Sequence, residues 1–138
     1  MRQKTIFWAV LALVGEKILQ HCLTALFFVV NIDGIGKPNA GSLIVLSDPV
    51  MAVLNLVLMG FFAWGFWDIW KHRTRGLNLV ILLSAFDIVA EFAFHGFIYV
   101  TVSVIVAIFL IVFAFALKST LTSARTASWK HPASPSKP

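Results

Sequence analysis

Cysteine is almost missing from this chain: Cys22 stands alone among 138 residues. No disulfide framework can therefore form within one chain, and redox compartment is unread. Charge is scarce as well. Asp, Glu, Lys and Arg make up 12% of the sequence, against about a quarter in a soluble domain. The sequence contains no GxxxxGKS/T, GxGxxG, HExxH or CxxC pattern, so the usual phosphate-cradling, dinucleotide, zinc-protease and dithiol signatures are excluded. No basic patch is interleaved with exposed aromatics, which excludes a nucleic-acid partner. No internal repeat is visible.

What the chain has in excess is apolar bulk. Hydrophobic residues reach 59%, with 13 phenylalanines. They fall into long blocks separated by short polar stretches, the pattern of membrane spans rather than of a soluble core. Four spans are expected, over residues 5–30, 48–70, 77–97 and 101–118. The fold class is therefore all-α, an integral, multi-pass membrane four-helix bundle forming one domain over residues 1–118. Residues 119–138, rich in Ser, Thr, Pro and Lys, read as a disordered basic tail. The start Met1-Arg2-Gln3-Lys4 resembles a signal-peptide n-region, but the apolar stretch after it is too long, so it reads as a retained first span. Ser47-Asp48-Pro49 is a helix-start signal, with Asp48 as N-cap and Pro49 at the first helical position.

Charge fixes the expected orientation. Arg2 and Lys4 precede span one, and Lys71, Arg73 and Arg75 separate spans two and three. Lys118, Arg125, Lys130 and Lys137 follow span four. With four spans all these groups lie on one side, which the positive-inside rule makes cytoplasmic, together with both termini. The net charge of +5 thus reports orientation. Trp64, Trp67 and Trp70 end span two as an aromatic belt. Asp68 and His72, at the same boundary, read as solvated.

Several ionisable residues fall inside spans, where a charge costs at least ~2.5–3.5 kcal/mol. At helical spacing, Glu16, Lys17, Gln20, His21 and Thr24 occupy a sector of roughly 140°. Ser84, Asp87, Glu91 and His95 occupy about 80° of span three. Asn55, with Met51 and Met59, shares a face of span two with Asp48. Counted from the cytoplasmic side at ~1.5 Å per residue, Glu16 and Asp87 lie near the midplane, with Glu91, His21 and His95 in the outer half. The three helices thus present a polar column opening outward, roofed by the loop over residues 31–46.

The bland reading is that these groups pair to fix helix register. The functional reading makes Glu16, Asp87, Glu91, His21 and His95 an acid–base set, with Lys17, Gln20, Asn55, Asp48 and Ser84 contacting substrate. Carboxylates beside imidazoles in a low-dielectric pocket can give and take protons. No arginine lies in any span, which argues against a phosphorylated substrate and fits isomerisation, cyclisation or epoxide opening of a neutral lipophilic molecule. No cofactor is required. The alternatives are a divalent-metal or proton site, including transport, and a haem anchor or accessory subunit ligating through His21 and His95. The expected partners are the lipid bilayer, a lipophilic small molecule and, as for many small bundles, a second copy, although no GxxxG lies in a span. In size and span number the chain resembles small multidrug transporters, which also carry a glutamate in span one. Gly15-Glu16-Lys17-Ile18 and the acidic third span depart from that family's pattern, so no residue role is carried over.

Overall fold

The computed structural model describes residues 3–30, 44, 46–95 and 101–130; the side chains of His95 and of residues 124–130 lie outside this set. Four helices account for nearly all of it: α1 (Gln3–Val30), α2 (Asp48–Trp70), α3 (Thr74–His95) and α4 (Val102–Lys130). All four are long and apolar enough to cross a membrane, since about 20 residues at ~1.5 Å each match a hydrocarbon core of about 30 Å. Each helix packs on its two neighbours in the cyclic order α1, α2, α3, α4, so α1 and α3 stand diagonally across the bundle.

The helix boundaries correct the sequence reading in three places. The N-cap of α2 is Ser47, in extended conformation, and not Asp48. The first helical bond runs from Met51 N to Ser47 O at 3.0 Å, which places Asp48 and Pro49 in the first turn. There the carboxylate meets the positive end of the helix dipole, and the missing proline N–H costs nothing. Helix α3 begins at Thr74, ahead of the expected residue 77. Helix α4 does not end near Lys118 but continues to Lys130, so residues 119–130 are helical and not a disordered tail. Its polar side chains are satisfied locally: Ser119, Thr120, Thr122 and Ser123 each donate to a carbonyl three or four residues back. Residues 131–138, the remainder of the expected tail, lie outside the described residues, as does most of the loop expected to roof the polar column.

The α2–α3 turn holds a further correction. Asp68, expected to be solvated, is 2% exposed. Arg75 folds back onto its carboxylate, Nε at 2.5 Å and Nη2 at 3.1 Å, and Arg73 Nη1 adds a contact at 3.3 Å. Arg73 N also donates to the Asp68 carbonyl at 2.9 Å. Burial is tolerated because two guanidinium groups satisfy the charge from the rim. Gly76 makes the approach possible. A Cβ there would lie 2.7 Å from Asp68 Cβ and 2.9 Å from both Gly65 O and Ile69 N.

Around the bundle axis, the end carrying this turn is filled by Val10, Val14, Phe62, Leu77, Val80, Leu110 and Leu117. Toward the opposite, loop end the axis is taken over by Lys17, His21, Asn55, Asp87 and Ser103, all buried. The outside is largely apolar. Leu19, Leu26, Val29, Val53, Leu82, Val89, Phe109 and Phe115 are all exposed, a face that water would penalise and a hydrocarbon environment would not.

Candidate functional site

Lys17 is the most deeply buried charged group, with no exposed surface. Its ammonium crosses the bundle axis to the diagonal helix and meets Asp87 Oδ2 at 2.5 Å. It also donates to Gln20 Oε1 (3.1 Å), to Ser103 Oγ (2.8 Å) and to the Ser103 carbonyl (2.9 Å). Four oxygens around three protons leave the cation fully solvated by protein. Lys17 thus joins α1, α3 and α4, is paired with Asp87, and is not among the residues that line the cavity beside it. Ser103 is a site contact that the sequence pattern does not single out. Its only signal there is a hydroxyl near the start of an otherwise apolar span.

Asp87 divides its two oxygens. Oδ2 is engaged by Lys17 and by Ser103 Oγ at 3.4 Å. Oδ1 faces His21 Nε2 at 3.6 Å, beyond hydrogen-bond range. The other ring nitrogen, Nδ1, lies 2.9 Å from Asn55 Oδ1. Asn55 Nδ2 donates back to Met51 O at 2.9 Å, which turns Oδ1 toward the imidazole and makes it an acceptor. Nδ1 therefore carries the proton, and in the neutral ring Nε2 keeps its lone pair. In that tautomer two acceptors face each other across the 3.6 Å gap. A proton on Nε2 converts the same contact into an attraction. Nε2 is buried and has no hydrogen-bond partner among the described residues. The imidazole lies flat on Phe62, with centroids 5.4 Å apart and planes 22° apart.

Beside this dyad a cavity of about 260 Å³ opens between α1, α2 and α3. Its polar wall is Gln20, His21, Thr24, Asn55, Asp87 and Glu91; its apolar wall includes Phe27, Phe28, Leu54, Leu58 and Phe94. The polar chain Asn55–His21–Asp87–Lys17–Ser103 thus touches all four helices, and its Asn55–His21–Asp87 section lines the cavity while Lys17 and Ser103 do not.

The expected site residues separate accordingly. His21, Asp87, Glu91, Gln20 and Asn55 come together on the cavity. Glu16 does not line it. Its Oε2 is buried with no hydrogen-bond partner among the described residues, on a face of α1 turned away from His21. Ser84 is buried nearer the turn end, its Oγ likewise without a partner among them. Asp48 sits in the first turn of α2 and does not border the cavity. The side chain of His95 lies outside the described residues. Among the described residues no three His, Cys, Asp or Glu side chains converge to hold a metal ion. No protein family, curated protein or solved structure matches this chain.

Proposed function

We propose that this chain is an integral, multi-pass membrane protein with both termini cytoplasmic, and that its outer-half cavity carries out acid–base chemistry on a neutral lipophilic molecule. His21 Nε2 exchanges the proton. Asp87, already neutralised on one oxygen by Lys17, offers the other to the imidazolium that forms. Asn55 holds the ring in the tautomer that leaves Nε2 free to act as a base. Glu91 is the second carboxylate on the cavity and the candidate to return a proton. Gln20 and Thr24 supply hydrogen-bonding groups for a small polar head, and the phenylalanines take the apolar body. Isomerisation, cyclisation and epoxide opening are the reaction classes that need this set and no cofactor.

The observation that carries this reading is His21 on the wall of a cavity, its buried Nε2 without a hydrogen-bond partner among the described residues and 3.6 Å from a pre-placed carboxylate oxygen. Such a group costs free energy in a purely structural role. Transport through the bundle has less support, because Phe62, Val14, Val80 and Leu110 pack the axis beyond Asp87. Two probes test the reading in nanodisc-embedded protein. A diazirine-bearing long-chain alcohol is expected to crosslink to Thr24, Phe27, Leu54 or Phe94, and Leu58→Trp, which fills the cavity, is expected to abolish those adducts. Diethyl pyrocarbonate is expected to modify His21, with the alcohol protecting it. Crosslinks confined to the outer faces of the helices, with His21 inert, refute the proposal.

A further inference from the structure

A second cavity, of about 160 Å³, lies at the opposite end of the bundle, between the start of α1, the α2–α3 turn and Leu117 and Leu121 of α4. Its inner wall is apolar, built from Phe7, Ile69, Leu77, Leu117 and Leu121. Its rim carries Lys4, His72 and Arg73, and among the described residues no carboxylate lines it. Local ion pairing does not cancel this charge. Asp68 is held mainly by Arg75, while Arg73 reaches it at 3.3 Å with half its side chain exposed. Lys4 is exposed. His72 takes a positive φ of 55°, uncommon for a residue with a side chain. That conformation lays its ring on Phe7, with centroids 5.0 Å apart, and closes one side of the cleft. Trp8 packs edge-on against Trp70 beside it.

We infer that this cleft binds an anionic phospholipid, its phosphate between Lys4 and Arg73 and one acyl chain against the apolar wall. The inference rests on the membrane reading above but not on the acid–base chemistry. The charge pattern selects the ligand. Two permanent cations with no carboxylate among the described lining residues favour an anionic head group, and an apolar wall of buried Ile69, Leu77 and Leu117 with partly buried Phe7 and Leu121 favours a hydrocarbon tail over a free phosphate or a polar peptide. The side is also right, because the basic rim belongs to the face that the positive charges assign to the cytoplasm, where anionic lipids attract such groups.

The test reconstitutes the full chain in nanodiscs of phosphatidylcholine with a minor fraction of phosphatidylglycerol and counts the lipids retained by native mass spectrometry. Wild-type protein is expected to retain phosphatidylglycerol selectively, and Lys4→Gln and Arg73→Gln each to weaken that retention about fivefold. Lys71→Gln is the control. Lys71 sits over the Trp67 ring at 4.4 Å and does not line the cleft, so its loss is expected to matter less than about twofold. Leu121→Trp, which fills the apolar wall and leaves the charges, is expected to abolish retention. Because Arg73 also touches Asp68, Lys4→Gln decides the matter if Arg73→Gln fails to fold. Equal losses in Lys4→Gln and Lys71→Gln overturn the site in favour of general surface attraction. A thermal shift produced by inorganic phosphate on lipid-free, detergent-solubilised protein, as large as that from phosphatidylglycerol, overturns the lipid as occupant. Entry into the bilayer without a phosphatidylglycerol preference overturns this site alone, whereas failure to enter overturns the membrane reading with it.

Discussion

Removing the ammonium at the centre of the bundle gives the sharpest test of how the polar core is held. In Lys17→Met, Asp87 loses its 2.5 Å partner and is left with Ser103 Oγ at 3.4 Å and His21 Nε2 facing it at 3.6 Å, while its exposure is 6%. A buried charge stripped of its partner typically costs about 3–5 kcal/mol. Asp87→Asn strands Lys17 in the same way and is expected to cost a similar amount. The double variant Lys17→Met/Asp87→Asn buries no charge. It still leaves Gln20 Oε1 and both oxygens of Ser103 without the lysine, a residual penalty of about 1–2 kcal/mol. The double variant is therefore expected to be more stable than either single one. The assay is equilibrium unfolding of the detergent-solubilised protein followed by tryptophan fluorescence, with the slope checked for constancy so that midpoint shifts report stability. Either a loss of less than about 1 kcal/mol in Lys17→Met, or a double variant as unstable as the two losses added, refutes a tight buried ion pair on the bundle axis.

Further expectations follow from the same contacts. Asn55→Leu removes the acceptor that fixes the His21 ring; nitrogen-15 NMR is expected to show the neutral tautomer moving its proton from Nδ1 to Nε2, where Asp87 Oδ1 can accept it, and an unchanged tautomer refutes the assignment. Gly76→Ala drives a Cβ against backbone atoms 2.9 Å away and is expected to cost about 1–3 kcal/mol, whereas Gly15→Ala, with nothing within 4 Å, is expected to be neutral or to gain up to about 1 kcal/mol. Asp68→Asn leaves Arg75 without its anion and is expected to lower the midpoint in the same unfolding assay. In a Cys22→Ser background, Ser47→Cys is expected to react with an impermeant maleimide in intact cells and Lys71→Cys to react only after lysis; the reverse pattern inverts the proposed orientation.

Composition and periodicity determined the four helices, because a run of about 20 apolar residues with few charges has little choice but to be helical and long. The helical repeat also determined which polar residues share a face, so His21 with Gln20 on α1, and Asp87 with Glu91 on α3, were legible before any packing was known. Only the tertiary structure decided which of them meet. A repeat of 3.6 residues gives each helix a polar face, but not the rotation of that helix against its neighbours or the diagonal placement of α1 and α3. Those depend on how side chains such as Phe62, Val80 and Leu110 fill the axis. That packing gave Lys17 to Asp87 and Ser103, left His21 lining a cavity, and turned Glu16 away from it. It also buried Asp68, because Gly76 on the next helix lets the two backbones close and two arginines fold back over the carboxylate. Neither event is written in the local sequence of any one helix, since each depends on an atom brought from another.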